Sequence, residues 1–184
     1  MNAITDLAHG FLRAVLRPGD AAVDATVGNG QDTLVLAECV GPTGRVFGFD
    51  IQPEALARTR ARLDAANVSH ATLYFESHAR MRDLVQEPVR AVAFNLGYLP
   101  NSDRQLATRT VTTIRALDAA ILLLQAGGVI TVIAYRGHPG GLDETDAVRN
   151  RLAQLPADAF EVQELPSSEL PASPVLFVAT KLTT

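Results

Sequence analysis

"VDATVGNGQDT", residues 23–33, places Gly28 and Gly30 between a short apolar run and the start of a helical one. Glycines there let the backbone turn tightly and approach a ligand with no Cβ in the way. Asp50 closes the next apolar run, 26 positions after Asp24. An acid at such a strand end bonds the hydroxyls of a ribose. A nucleoside-containing cofactor would thus find a loop for one end and a carboxylate for its sugar. A dinucleotide would want a third glycine at position 33, where this chain has Thr33, and would meet Asp24 and Asp32 near its pyrophosphate. S-Adenosylmethionine has no phosphate, and its amino and sulfonium groups favour nearby acids and carbonyls. The residues favour the second cofactor. A glycine motif alone also occurs in plain turns, so the weight rests on the strand–loop–helix context and on Asp50.

Other residues carry weaker signals. In "ESHARM", Ser77 and His78 follow the third apolar run, where an adenine ring would lie. The same pair equally suits a helix capped by Ser77 with His78 at the surface. "AFNLGYLPNSDRQLATRT", residues 93–110, begins as a buried strand and breaks at Asn95 into Gly97, Tyr98 and Pro100. From the residues alone it is either a ligand-facing strand end or a turn with Tyr98 half-buried. His9 and His70 read as surface or packing residues, and no group of His and acids has metal-ligand spacing. The single cysteine, Cys39, excludes an internal disulfide and reads as a small core residue of a helix.

The elements that must position these residues alternate. Strands are expected at 21–26, 45–50, 71–76, 91–96 and 128–135, with helices starting near Gln31, Pro53 and Thr110 and a short one around Ala79. Pro53 suits a first helical turn, where its missing N–H costs nothing. Strands separated by helices predict a parallel sheet covered on both faces. A helix near Asp143–Leu155 then precedes "FEVQEL" and "PVLFVATKL", two strands joined by a Pro-rich segment and therefore antiparallel. The first 20 residues place Ile4, Leu7, Phe11 and Val15 at helical spacing, as a helix packing on the rest.

Composition bounds the partners. With 184 residues, 47% of them hydrophobic, the chain suits a single domain over 1–184. The first stretch has no basic leader or cleavage site, and "AAILLLQAGGVITVIAY" is broken by Gln125 and Gly127-Gly128 into helix, turn and strand. A cytoplasmic location without membrane contact is the expectation. The net charge of −4 is concentrated in residues 141–184, with seven acids and three bases, whereas Arg58–Arg115 holds nine arginines against five acids. A local basic patch for nucleic acid is compatible with that distribution, while the pI of 5.5 opposes non-specific polyanion binding.

Together "DATVGNGQDT", "GFDIQ", "ESH", "FNLGYLP" and "YRGHPGG" resemble the small class I methyltransferases of the rRNA methylase family, across roughly residues 10–180 and in the family's order. Members act as tRNA methyltransferases that complete 5-methylaminomethyl-2-thiouridine at the wobble position. The resemblance implies a Rossmann-like α/β fold: a seven-stranded, mostly parallel sheet with an antiparallel last strand and helices on both faces. It implies S-adenosylmethionine as cofactor, held by Asp24, Thr26, Gly28, Asn29, Gly30, Asp32, Thr33, Asp50, Ile51, Gln52, Ser77, His78 and Asn95. The anticodon region of tRNA is the implied substrate, with no metal. There are two departures from the family: Val27 replaces an alanine, and Asn101-Ser102-Asp103-Arg104 replaces Gly-Gly-Asp-Lys. The lost glycines stiffen that segment, and Arg104 keeps the charge with a different geometry.

"NLGYLP" is also similar to the Asn-Pro-Pro-Tyr motif of methyltransferases that modify amino nitrogens. There the Asn side chain and nearby carbonyls accept hydrogen bonds from the target amine; by that likeness Asn95 orients the amine while Tyr98 walls in a base, with Leu96, Gly97 and Pro100 alongside. An alkylamine, with a solution pKa of about 10, arrives protonated and must be desolvated or meet a base before it can attack. His138 is the candidate for that base or for a substrate contact; fixing its own loop is the alternative. Arg104, Arg109 and Arg136 are candidate phosphate contacts, and Gly140 belongs to a loop that closes on the substrate. Competing expectations are methylation of rRNA or of a small amine, an NAD(P)-dependent oxidoreductase, and a non-catalytic nucleotide-binding module. The apolar final strand and Pro-rich segment would suit a homodimer.

Overall fold

The computed structural model describes residues 3–97, 108–168, 170 and 173–183. Seven strands form one sheet: β1 (Ala21–Asp24), β2 (Arg45–Asp50), β3 (Ala71–Phe75), β4 (Val89–Leu96), β5 (Leu124–Ala134), β6 (Phe160–Pro166) and β7 (Val175–Lys181). Their spatial order is β3-β2-β1-β4-β5-β7-β6; β1 to β5 run parallel, and β7 is antiparallel to both neighbours. This is the Rossmann-like class I arrangement with helices on both faces. The helices are α1 (Ala3–Val15), α2 (Gln31–Val40), α3 (Pro53–Ala65), α4 (Met81–Leu84), α5 (Thr110–Leu123) and α6 (Gly141–Ala153), with a 3-10 turn at His78–Arg80.

Period-2 alternation along the central strands feeds two cores. Val92, Phe94 and Leu96 of β4 pack with Leu117 and Ala120 of α5 and Val148 and Leu152 of α6. Ala91 and Ala93 point the other way, against Leu12 of α1, Leu36 of α2 and Leu63 of α3. Strands buried on both faces read as continuous apolar runs, which is why β4 and β5 show no polar alternation.

Two local expectations need correction. Leu7 lies 46% exposed; the inward stripe of α1 is Ile4, Ala8 and Leu12, continued by Leu16. Phe11 and Val15 pack only partly against that core. The turn expected at Gly127-Gly128 falls inside β5, which begins directly after α5 because Leu124 already pairs with Val89. The ladder shifts register between Val89 and Ala91, and Gly128 passes there so close to the Arg90 carbonyl that a Cβ would sit 2.7 Å from it. The glycines serve an irregularity in the ladder. Among the described residues, no helix is long and apolar enough to cross a membrane.

Sequence-adjacent β1 and β2 extend the sheet one way, and β4 returns to the other side of β1. The crevice at the carboxyl ends of β1 and β4 is thus the switch point where open α/β sheets bind ligands.

Candidate active site

A pocket of about 580 Å³ opens at that crevice. It gathers Thr26 to Asn29 after β1, Phe49 to Gln52 at the end of β2, Glu76 to His78 after β3, Asn95 to Gly97 at the end of β4, and Tyr135, Gly137 and His138 after β5.

The glycine loop is held at both ends. Gly28 (φ 51°) donates its N–H to Asp50 Oδ2 at 2.9 Å, and its carbonyl accepts from Thr59 Oγ1 at 3.2 Å. Arg62 Nε donates to the Asn29 carbonyl at 2.9 Å and Arg58 Nη1 to Asn29 Oδ1 at 3.3 Å. Gly30 (φ 73°) does not line the pocket: it precedes α2, and a Cβ there would lie 2.6 Å from Thr59 Oγ1. It turns the chain and lets α2 pack closely on α3.

Asp50 Oδ1 accepts from the Gln52 N–H at 2.9 Å, so each carboxylate oxygen has one backbone donor and a lone pair left for a hydroxyl. Burial pushes its pKa up. Ile51, exposed at 53%, and Gln52, buried, flank it on the pocket wall.

Of the capping alternative, the cap at Ser77 is present and the surface position of His78 is not. Ser77 Oγ accepts from the Ala79 N–H at 3.2 Å, capping the 3-10 turn, yet it also lines the pocket. His78 is buried, not at the surface. Its Nδ1 donates to the Ala25 carbonyl at 3.0 Å, and Nε2 is buried with no partner among the described residues. Burial holds the pKa of His78 below its ordinary value.

Asp24 and Thr33 are fully buried and do not line the pocket. Asp24 Oδ2 accepts from Thr33 Oγ1 at 2.5 Å and Oδ1 from the Thr26 N–H at 3.1 Å. Burial, then the nearby Asp32 charge, push Asp24 up to about 7. Thr26 passes the order on, since its Oγ1 accepts from the Asn95 N–H at 2.7 Å. The two crossing strand ends are thereby locked in register.

Asn95 lines the pocket, and its Nδ2 lies 3.4 Å from Asp32 Oδ2. Asp32 Oδ1 is bonded to His9 Nε2 at 2.6 Å. Leu96 is buried against the core beneath. Gly97 (φ 144°) faces Tyr135 and His138, each under 4 Å from where its Cβ would be. His138 is buried, and its Nδ1 donates to the Pro139 carbonyl at 3.1 Å.

Arg109, exposed, precedes α5 at the pocket mouth. Arg136 is turned away, donating from Nε to the Ser173 carbonyl at 2.8 Å. Gly140 (φ 81°) lies in open space before α6, outside the pocket lining. Tyr98, Pro100 and Arg104 lie outside the described residues. Among the described residues, no three His, Cys, Asp or Glu cluster as metal ligands.

Sequence reasoning missed His9, Tyr135 and Thr108. Tyr135 is the first residue of the "YRGHPGG" stretch quoted above, so its signal is in the sequence. His9 had none: helical spacing puts it beside the apolar stripe, and only the tertiary packing of α1 on α2 brings it to Asp32.

The arrangement fits S-adenosylmethionine. Asp32, Asp50 and Glu76 line the pocket with carboxyl groups, beside the buried ring of His78. Such a carboxylate-lined crevice is ill suited to a pyrophosphate.

Comparison with known proteins agrees. Residues 46–181 match the family described as "Putative rRNA methylase". The chain is 38% identical, over 94% of its length, to the "tRNA (mnm(5)s(2)U34)-methyltransferase, chloroplastic" of Arabidopsis thaliana, and spans 67% of that protein. A crystal structure described as an rRNA methylase from Clostridium thermocellum superposes with a TM-score of 0.93 at 40% identity, covering 99% of this chain and 98% of that one. A methyltransferase-like protein of Streptococcus mutans, solved in complex with SAH, gives 0.90 at 34% identity, with 99% of each chain covered.

Proposed function

The chain belongs to this rRNA methylase family and is a class I, S-adenosylmethionine-dependent methyltransferase, and from that premise we propose that it methylates the exocyclic amine of 5-aminomethyl-2-thiouridine at the tRNA wobble position. The product is 5-methylaminomethyl-2-thiouridine. The observation that carries the reading is the place of Asn95: at the carboxyl end of β4, on the wall of the pocket that Asp50 and His78 line for the cofactor. The name of the plant relative supports the nucleoside.

Bound S-adenosylmethionine supplies an electrophilic sulfonium methyl. Asp50 would hold the ribose hydroxyls, and its bonds to Gly28 and Gln52 keep loop and strand end together. Ser77 and His78 would line the end of the pocket that takes the base. Asn95 accepts a hydrogen bond from the substrate amine and thereby aims its lone pair. Tyr135 and His138, beside Gly97, form the opposite wall of the amine's approach. Arg109, at the mouth, is free to meet a phosphate of the anticodon stem-loop.

The test is mass spectrometry of nucleosides after incubating purified protein with methyl-labelled S-adenosylmethionine and tRNA from cells lacking the final wobble methyl. One labelled methyl on 5-aminomethyl-2-thiouridine is the expected result. Label that appears on an rRNA fragment or a small amine, and not on this nucleoside, overturns the substrate assignment.

A further inference from the structure

His9 lies on α1, remote in sequence from every motif, and its side chain is only 1% exposed. Its Nε2 stands 2.6 Å from Asp32 Oδ1. The other oxygen of Asp32 lies 3.4 Å from Asn95 Nδ2. The three side chains form one line, from the back of α1 through the first turn of α2 to the end of β4.

We infer that His9 is a positioning residue for the transfer, setting through Asp32 which end of the Asn95 amide faces the substrate amine. This rests on the proposed reaction at the same pocket. A carboxylate accepts and never donates, so the nitrogen of His9 that faces it carries the hydrogen. His9 Nδ1, turned away, has no partner among the described residues. The donated bond fixes the rotamer of Asp32, whose other oxygen accepts from Nδ2 of Asn95. The amide is thereby turned with Oδ1 toward the pocket, the only orientation in which it accepts from an amine N–H. A free-swinging Asp32 would tolerate either face of the amide.

Helix placement alone does not account for this contact. An acid in the first turn of α2 is favoured by the helix dipole whichever way it points. The dipole sets no rotamer; a buried imidazole at 2.6 Å does. The cost of burying that ring with one nitrogen unsatisfied is what a purely packing role would have avoided by using Leu or Met.

The experiment compares His9→Leu, which deletes the donor, with His9→Gln, whose amide nitrogen reaches about as far as Nε2. kcat and KM are read with tRNA carrying 5-aminomethyl-2-thiouridine, alongside S-adenosylmethionine affinity and melting temperature. His9→Leu is expected to lose ten-fold or more in kcat with cofactor affinity held within two-fold, and His9→Gln to recover most of the loss. Wild-type kcat in His9→Leu overturns the inference, as does equal loss in both variants. A second arm needs no variant of His9 and no substrate: nitrogen-15 NMR of the imidazoles in the native chain. A His9 ring protonated at Nε2, with a proton resonance that shifts in Asp32→Asn, is expected; a bare Nε2 overturns the inference. Because this arm is independent of turnover, an inactive native protein on this tRNA would count against the substrate assignment alone.

Discussion

Gly97 and Thr108 are bonded to each other twice, the Gly97 N–H to Thr108 Oγ1 at 3.0 Å and the Thr108 N–H to the Gly97 carbonyl at 2.9 Å. This pairing joins the two residues that flank positions 98–107, which hold the rest of "NLGYLP" in sequence. Thr108 Oγ1 passes its own hydrogen to Glu144 Oε2 at 2.7 Å, and Thr113 Oγ1 donates to Oε1 at 2.6 Å. Glu144 is 2% exposed, so α6 clamps this Gly97–Thr108 neck through a buried carboxylate. Thr108→Val keeps the shape but strands the Gly97 N–H and one oxygen of Glu144, at roughly 1–3 kcal/mol for a buried orphan. The expected outcome is a lower melting temperature and a kcat reduced about ten-fold, with cofactor affinity unchanged. A variant with native kcat would show that the neck does not position the amine site.

Asp50 holds the glycine loop and, on the proposed reading, the ribose, so its removal should act on the cofactor first. Asp50→Ala leaves the N–H groups of Gly28 and Gln52 without acceptors and deletes the diol contact. A hydrogen bond to a charged group is worth about 1.5–3 kcal/mol, so the dissociation constant for S-adenosylmethionine should rise by between ten- and a hundred-fold. Isothermal titration calorimetry reads this directly. Native affinity would remove Asp50 from the cofactor site.

His78 is held below its ordinary pKa by burial, so the folded chain binds fewer protons there than the unfolded chain. The stability tied to its neutral ring is fully present above the unfolded value of about 6.5 and is lost as pH falls toward the depressed folded value. His78→Phe should therefore soften the acid-side fall in melting temperature while weakening S-adenosylmethionine several-fold, since His78 lines the pocket. Thermal melts between pH 5 and 7 with and without cofactor test both parts. An unchanged acid limb with unchanged affinity contradicts the placement.

The sheet was legible because its determinants are local. Apolar runs at 45–50, 71–76 and 91–96 match β2, β3 and the end of β4 within a residue or two, and Pro53 marks the start of α3. The glycine loop and Asp50 were legible because strand-end chemistry sits at fixed offsets from a strand. The beginning of β5 was not, since Leu124 reads equally as the last turn of a helix and only its pairing with Val89 makes it a strand. Asp24 and Thr33 sit inside the motif, yet they act on the loop from beneath, a distinction that depends on which side of β1 and α2 they project from. His9 depends entirely on how α1 docks, which no local pattern encodes.

Asp24 titrates in the opposite sense to His78. Burial and the Asp32 charge raise it from 3.8 to about 7, so the folded state holds a proton that the unfolded state has released across that window. Its contribution to stability is fully present below the unfolded value and is lost as pH rises through about 7. Asp24→Asn keeps the shape and carries no charge, and Thr33 Oγ1 accepts from the new amide instead of donating. The variant's melting temperature should change less between pH 5 and 8 than that of the native chain. Equal pH dependence in the two would place the titration elsewhere.

Asn95 separates chemistry from binding. Its backbone N–H goes to Thr26 Oγ1, a bond that truncation of the side chain leaves in place, so the strand end and cofactor loop should survive Asn95→Ala. What is lost is the amide that orients the amine, together with the donor to Asp32 Oδ2. Removing one positioned polar group from a transfer site costs roughly 10²–10³ in kcat. Single-turnover methylation should fall by at least that factor, while S-adenosylmethionine affinity stays within two-fold and tRNA affinity changes little, because phosphate contacts dominate it. A loss of cofactor affinity equal to the loss of rate would instead make Asn95 a cofactor ligand. Normal turnover would mean that the amine is oriented by other groups, and the reading of the β4 strand end would have to be abandoned.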